Sequence, residues 1–150
     1  ILFLQSQIDE IDKELKKLID ELNSPIMSIP GISYVTAAFI LAEIGDINNF
    51  DSPSKLQAFA GLDPSTYQSG KFTATHSTMV KRGSKYLRFA LMNASRMVCM
   101  NDAVFNKFKN KKMAEGKHYM VTMGHVAKKL VRVIYYLLKT NNVYQAEKVA

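Results

Sequence analysis

Apolar residues near the start of the chain recur at alternating intervals of four and three residues, and this spacing constrains the fold more than any other feature. Charged residues fill the positions between them. Because side chains three and four positions apart share one face of an α-helix, the segment is predicted to be a helix with a narrow apolar seam. Such a seam is typical of a coiled coil, and a helix packed on its own domain is the alternative. The seam consists of Leu4, Ile8, Ile11, Leu15, Leu18 and Leu22.

Ser24 and Pro25 end this helix and divide the chain into two predicted parts. Residues 1–24 are predicted to be a coiled-coil helix that pairs with another copy of the chain, which makes the protein a homo-oligomer. Residues 25–150 are predicted to be one domain, long enough to bury a core. The sequence does not begin with Met, so we expect it to be a piece of a longer protein. Its start turns acidic without a basic leader, which is untypical of a signal peptide.

The net charge of +7 favours an anionic partner, with nucleic acid first and an acidic membrane surface second.

Cys99 is the single cysteine, so neither an internal disulfide nor a cysteine zinc cluster is expected. A lone cysteine also favours a cytoplasmic location. No apolar run is long enough to cross a membrane. His118 and His125 lack carboxylate or cysteine partners at ligand spacing, so no metal site is predicted.

The segment Ile29-Pro30-Gly31-Ile32 is predicted to be a tight turn before a helix capped by Ser33. This order of residues resembles a helix–hairpin–helix motif, in which backbone N–H groups hold a nucleic-acid phosphate. Gly31 and Ser33 are therefore candidate nucleic-acid contacts, although Ser33 stands where that motif usually has a second glycine. A plain helical corner is the alternative. The predicted buried face of the helix is Val35, Ala38, Phe39 and Ala42.

Glycine and proline punctuate residues 61–70, which predicts a turn or short hairpin rather than a helix. Ser69 lies directly before Gly70, at the predicted tip of the hairpin, and Lys71 follows. A hydroxyl on a sharp turn beside cations has the parts needed to attack a phosphodiester. The alternative is a polar turn followed by a solvated basic helix. The cations that follow within twenty residues are Lys81, Arg82, Lys85 and Arg88, and these four, with Gly70 and Lys71, are candidate nucleic-acid contacts.

Helical spacing returns after Gly83 and predicts three more helices, at about residues 83–101, 101–113 and 119–139. The predicted fold class is thus all-α, with a helix–hairpin–helix-like element, a small hairpin that carries the serine, and an N-terminal coiled-coil helix. The last helix also carries a predicted basic stripe of His125, Lys128, Lys129 and Arg132, of which Lys128, Lys129 and Arg132 are candidate nucleic-acid contacts. The predicted core stripes are Leu87, Ala90, Leu91, Ala94 and Val98 in the first of these helices, and Val126, Leu130, Ile134 and Leu137 in the last.

Four motifs in this order, IPGI with ILAEIGD, LQAFAGLDPS with QSG, KRGSKYLR, and HVAKKLVRVIY, resemble the C-terminal domain of one insertion-sequence transposase family. That family, insertion-sequence family one-ten, includes the pilin-gene inverting recombinases and the bridge-RNA-guided recombinases. The resemblance covers about residues 26–140 and is specific in the combination of motifs rather than in any one of them.

The resemblance implies that a RuvC-like domain with four acidic residues binds magnesium, and that a coiled coil joins it to a domain with a nucleophilic serine. Ser69 of the Ser69-Gly70 pair matches that serine. No stretch of this sequence resembles the RuvC-like domain, so no cofactor is expected in this fragment and it should not cleave DNA alone. The implied partners are DNA and a guide (bridge) RNA.

Two further functions remain open beside a DNA transposase or recombinase domain. One is a non-catalytic DNA- or RNA-binding helix–hairpin–helix module. The other is a coiled-coil assembly domain whose basic surface has no partner.

Overall fold

The structure is a computed structural model and describes residues 1–65, 68–69, 72–73 and 78–149, with residues 68–69 and 72–73 described through their backbone. The predicted all-α class is confirmed. In the described residues the helices are α1 (Leu2–Leu22), α2 (Tyr34–Ile44), α3 (Pro53–Phe59), α4 (Lys85–Asn101), α5 (Ala103–Ala114), α6 (Tyr119–Thr140) and α7 (Ala146–Val149). Single 3-10 turns lie at Pro25–Ser28 and Ile47–Asn49, and two short strands, β1 (Gln68–Ser69) and β2 (Phe72–Thr73), pair antiparallel.

Helix α6 lies at the centre of the domain and contacts α3, α4 and α5, while α4 also packs on α2. Every residue of the core stripes predicted for α4 and α6 is buried. Burying a large aliphatic side chain of this kind stabilises the fold by about 1.5–3 kcal/mol. None of the helices in the described ranges is long and apolar enough to span a bilayer.

The buried face predicted for α2 is wrong. Ala37, Ile40 and Ile44 face the core, whereas Val35 is 44% exposed and Phe39 is 49% exposed. Ala42 is exposed as well, and Ala38 is half-buried. Helix α2 is apolar on nearly every side, so its periodicity does not select a face, and packing against α4 makes the choice.

Helix α1 meets the rest of the domain only near its C-terminal end. Ile19, which is not part of the seam, is its buried residue, and the Lys16 Nζ lies 5.5 Å from the centre of the Tyr34 ring of α2. Residues 1–14 are all exposed. Within the seam Leu15 is half-buried and the other five residues are exposed, so the seam is not folded back on the domain core.

Candidate nucleic-acid interface

The segment after α3 and the segment before α4 pair with each other and form the base of a hairpin. The Val80 N–H donates to the Asp63 carbonyl at 2.9 Å, and the Lys81 N–H donates to the Gly61 carbonyl at 3.2 Å. Pro64 and Met79 form an antiparallel bridge further along. Beyond this base, β1 and β2 continue the hairpin, with Ser69 opposite Phe72. Ser69 is thus the last residue of β1. The next two residues, Gly70 and Lys71, which the sequence also assigns to this site, lie outside the described residues.

Ser65, the nearest other serine hydroxyl in this hairpin, has a structural role. Its Oγ accepts a hydrogen bond from the Thr78 N–H at 3.0 Å and lies 3.1 Å from Thr78 Oγ1. The Ser65 N–H also donates to the Thr78 carbonyl at 2.6 Å. These bonds hold the two sides of the hairpin base together.

The loop of residues 81–83 is held tightly against the end of α3. The Ser84 N–H donates to the Phe59 carbonyl at 2.7 Å, and a Cβ on Gly61 would lie 2.5 Å from the Arg82 carbonyl oxygen. Lys81 has a φ of 56°, which is rare for a residue with a side chain. The side chains of Lys81 and Arg82 are exposed. Two predicted phosphate contacts therefore project from a fixed backbone at the base of the hairpin.

Arg88, also predicted to contact nucleic acid, supports this loop instead of pointing freely into solvent. Its Nη1 donates to the Lys81 carbonyl at 3.1 Å and to the Ala60 carbonyl at 3.4 Å. Because this nitrogen is committed to two protein carbonyls, the main role that the structure gives Arg88 is to position the loop. Lys85 is exposed, with its Nζ 5.0 Å from the centre of the Tyr86 ring.

Helix α4 starts next to this loop and is capped by Ser84. The Ser84 Oγ accepts from the Leu87 N–H at 2.9 Å and donates to a Glu43 carboxylate oxygen at 2.6 Å. The serine therefore satisfies the first turn of α4 and ties it to α2. The sequence did not point to Ser84 or Glu43 as a pair, because 41 residues separate them and no local pattern connects them.

The basic stripe predicted on α6 is split between two sides of the helix. Lys128 lies on the hairpin side, where the Asp63 carboxylate partly offsets the lowering of its pKa by burial. Lys129 lies on the α5 side, with its Nζ 5.0 Å from the Phe108 ring and 5.8 Å from the Phe105 ring. Burial lowers the pKa of Lys129, and the Asp102 carboxylate opposes that shift. Neighbouring helix positions point about 100° apart, so Lys128 and Lys129 serve different surfaces.

Close packing brings the hairpin base against α6. A Cβ on Gly124 would lie 3.3 Å from Met79 Cε, so the missing side chain leaves room for Met79. Asp63 at the hairpin base also accepts a hydrogen bond from Gln57 Nε2 at 2.6 Å. Asp63 is a residue of this site that the sequence analysis missed, and its place in the GLDP turn was the available signal.

The turn at Gly31 does not belong to this site. Its φ is 95°, and a Cβ there would lie 2.6 Å from the Met97 carbonyl oxygen of α4, so close helix packing explains the glycine. Met97 and Ser84 are about 20 Å apart along α4. Ser33 caps α2 by accepting from the Thr36 N–H at 3.2 Å. Before this turn stands a single 3-10 turn, Pro25–Ser28, in place of a full first helix.

The structure thus brings together Lys81, Arg82, Lys128 and the supporting Arg88 at the base of the hairpin that contains Ser69. Gly31 and Ser33 lie elsewhere, and Lys129 faces α5. Within the described ranges, no group of three or more His, Cys, Asp or Glu residues lies close enough to hold a metal ion. These residues therefore do not fit a magnesium centre.

Comparison with known proteins identifies the relatives of the chain. The sequence model described as the Transposase IS116/IS110/IS902 family matches residues 23–110, which include Ser69 and the hairpin base. The pilin gene-inverting protein of Moraxella bovis is 31% identical over 141 residues, covering 89% of this chain and 44% of that protein. The transposase for insertion sequence element IS1328 of Yersinia enterocolitica is 29% identical and covers 95% of this chain and 44% of that protein. The IS110 protein of Streptomyces coelicolor is 27% identical over 153 residues, 95% of this chain. The chain spans 37% to 44% of the length of these relatives.

Proposed function

The chain belongs to the Transposase IS116/IS110/IS902 family, and we propose that it is the serine-bearing domain of a longer transposase or recombinase that cuts and rejoins DNA. The family match carries the proposal, because it spans the segment with Ser69 and the cations that follow it. Two relatives are named as a transposase and a pilin gene-inverting protein, and both names describe DNA rearrangement by those proteins.

Ser69 is the proposed nucleophile. Its position at the end of β1, beyond a hairpin base fixed by backbone hydrogen bonds, supports this choice. The arrangement of Ser65 supports it too, since the Ser65 hydroxyl is engaged by Thr78. Lys81 and Arg82 are exposed at the same base and supply positive charge for a phosphate.

In the proposed reaction the Ser69 Oγ attacks the phosphorus of a DNA phosphodiester. The new P–Oγ bond replaces the P–O bond to one strand, which departs as a hydroxyl with the proton that serine gives up. The phosphoserine ester keeps the bond energy, so the hydroxyl of a second strand can attack the same phosphorus and release Ser69 without ATP. Nearby cations stabilise the negative charge that builds up on the phosphate oxygens in both steps.

Magnesium, the RuvC-like domain that would bind it and a guide RNA are assigned to the longer protein, and no step above runs through them. A homo-oligomer joined by the α1 seam is also part of the proposal. Exposure of Leu4, Ile8 and Ile11 supports it, because a second helix of the same kind would cover this apolar stripe.

The test uses the full-length protein with its nucleic-acid partners. Ser69→Ala should abolish strand exchange while leaving folding and DNA binding nearly unchanged. Ser65→Ala is the matched control, since it removes a hydroxyl from the same hairpin and should retain strand exchange. A covalent protein–DNA adduct on a nicked substrate should map to the peptide that contains Ser69. Strand exchange by Ser69→Ala would instead favour a non-catalytic DNA- or RNA-binding module.

A further inference from the structure

Two cavities on the α5 side of α6 meet at Lys129 and form one groove. The first, about 470 Å³, lies between the second half of α6 and residues 142–149. The second, about 370 Å³, lies between α5 and Lys129. We call the two together the α5–α6 groove. On α6 its residues centre about 100° around the helix from Lys128 and the hairpin base, with Arg132 between the two faces.

The α5–α6 groove is lined mainly by apolar residues, with five cations and no carboxylate among the lining residues. Its cations come from three helices and are Lys107, Lys111, Lys129, Arg132 and Lys148. In the part of the chain that the structure describes, the salt bridges are Lys17–Glu21 and Lys112–Glu115, so none of the five is neutralised by an ion pair. A groove of this charge attracts a polyanion.

A carboxylate beside Lys129 is already used within the protein. Asp102 is buried; its Oδ1 accepts from the Phe105 N–H at 2.9 Å, and its Oδ2 accepts from the Tyr144 hydroxyl at 3.0 Å. Because both oxygens are engaged, Asp102 fixes the groove and does not pair with the cations that line it.

The wall formed by residues 142–149 is anchored at Tyr144. Its N–H donates to Ser28 Oγ at 2.7 Å, in addition to its hydroxyl bond with Asp102. The Tyr144 ring also lies 6.5 Å from the Phe105 ring. The groove is therefore formed before any ligand arrives, which reduces the entropy lost on binding.

An exposed aromatic ring stands in the larger cavity. Tyr136 is 48% exposed and lies one turn of α6 after Arg132. Proteins that hold unpaired nucleic acid combine cations that follow the backbone with aromatic rings on which bases stack. A cavity of a few hundred Å³ admits a single base, whereas the paired bases of a duplex are not available to stack on a side chain.

We propose that the α5–α6 groove binds an unpaired stretch of nucleic acid, with a base stacked on Tyr136 and phosphates along Lys129, Arg132 and Lys148. The groove lies on a different face of α6 from the hairpin base, and the strand in the groove is assigned to a contact separate from the one beside Ser69. This inference rests on the proposed nucleic-acid function but not on Ser69 as nucleophile, so the two fail separately.

The probes are fluorescein-labelled twelve-nucleotide strands of deoxythymidine and of uridine, and a duplex of equal length, titrated with the 150-residue chain and followed by fluorescence anisotropy. The duplex reports on the hairpin base, so Tyr136→Ala should leave duplex binding unchanged. Tyr136→Ala should weaken single-strand binding about fivefold to a hundredfold, and Tyr136→Phe, which keeps the ring, should bind like the original chain. The two single-strand probes distinguish DNA from RNA as the occupant.

Charge variants give a second measure of the same site. Lys148→Gln and Arg132→Gln should each lower the dependence of single-strand binding on salt, by a slope of about 0.7 per lost phosphate contact. Lys55→Gln, at an exposed position of α3, is the matched control and should leave that slope unchanged. Circular dichroism melting checks that each variant is folded.

The proposal is overturned if Tyr136→Ala binds single strands as tightly as the original chain. It is also overturned if Tyr136→Ala weakens duplex binding as much as single-strand binding, or if a polyglutamate peptide competes as well as an unlabelled single strand, because the groove would then recognise charge alone. If these tests fail while strand exchange still depends on Ser69, the groove proposal is wrong and the transposase proposal stands.

Discussion

Arg88 Nη1 donates a hydrogen bond to the carbonyl of Lys81 at 3.1 Å, and through it the first turn of α4 holds the loop at the base of the hairpin. The same nitrogen reaches the Ala60 carbonyl at the end of α3. One side chain therefore joins three segments that come together at the base of the hairpin that contains Ser69. Its removal should loosen the loop that presents Lys81 and Arg82.

Arg88→Ala should destabilise the protein by about 1–3 kcal/mol, because it leaves two carbonyls without a charged donor. Arg88→Lys should recover only part of this loss, since an ammonium cannot reproduce the planar guanidinium. Urea unfolding followed by circular dichroism measures the change. Lys85→Ala, an exposed change three residues earlier, should stay within about 0.5 kcal/mol of the original. Equal losses for Arg88→Ala and Lys85→Ala would show that the loop does not depend on Arg88.

Gly31→Ala should cost more stability than Gly45→Ala. Both glycines have positive φ, at 95° and 61°, so alanine is strained at either position. Only at Gly31 would the new methyl group collide with backbone, 2.6 Å from the Met97 carbonyl oxygen, whereas nothing lies within 4 Å at Gly45. We expect about 1–2 kcal/mol for Gly45→Ala from strain alone and about 2 kcal/mol more for Gly31→Ala, from the added collision.

Thermal melting compares the two glycine variants directly. Each kcal/mol corresponds to a shift in Tm of about 2–4 °C for a chain of this size. Similar Tm values for the two would mean that the turn at Gly31 moves away from α4 without loss.

The sequence predicts some parts of this fold well for a physical reason. The stripes of α4 and α6 alternate with polar residues, so their buried faces follow from helical spacing. Helix α2 is apolar on most sides, and only its packing on α4 exposes Val35 and Phe39. The basic stripe of α6 illustrates a second limit. Its four members lie at helical spacing, yet Lys128 and Lys129 contact different parts of the protein.

In the candidate site, too, some features could be predicted from the sequence and others depend on tertiary contacts. That a hairpin follows α3 is readable from Gly61, Pro64 and Gly70, because these residues exclude a helix. That the Ser65 hydroxyl is engaged by Thr78, 13 residues later, depends on strand pairing that no local pattern reveals. Likewise, Arg88 looks like any other exposed helix cation until the loop at Lys81 is placed against it.

The α1 seam gives a prediction about assembly. Ile11→Asp should shift the chain towards a monomer, because it puts a charge into the apolar stripe that two helices would share. Lys13→Asp makes a charge change on the same helix outside the seam and should leave assembly intact. Sedimentation velocity over a range of protein concentrations measures the outcome. A monomer at every concentration for the original chain would contradict pairing through α1.

Duplex DNA should bind at the hairpin base, and its binding should respond to Lys128 but not to Lys129. Each phosphate contact releases counterions, so the logarithm of the affinity falls with the logarithm of salt by a slope of about 0.9 per contact. Lys128 lies on the same side of α6 as Asp63 and the hairpin, whereas the Lys129 Nζ lies over the Phe105 and Phe108 rings.

Lys128→Gln, Lys81→Gln and Arg82→Gln should each reduce the salt slope for a duplex by about 0.9, with a matching loss of affinity at low salt. Lys129→Gln is the matched control, since it removes the same charge from the next position of the same helix. Anisotropy titrations of a labelled duplex at several salt concentrations supply the slopes. If Lys129→Gln lowers the duplex slope as much as Lys128→Gln does, a duplex contacts both sides of α6, and the division of the α6 cations between two nucleic-acid surfaces is wrong.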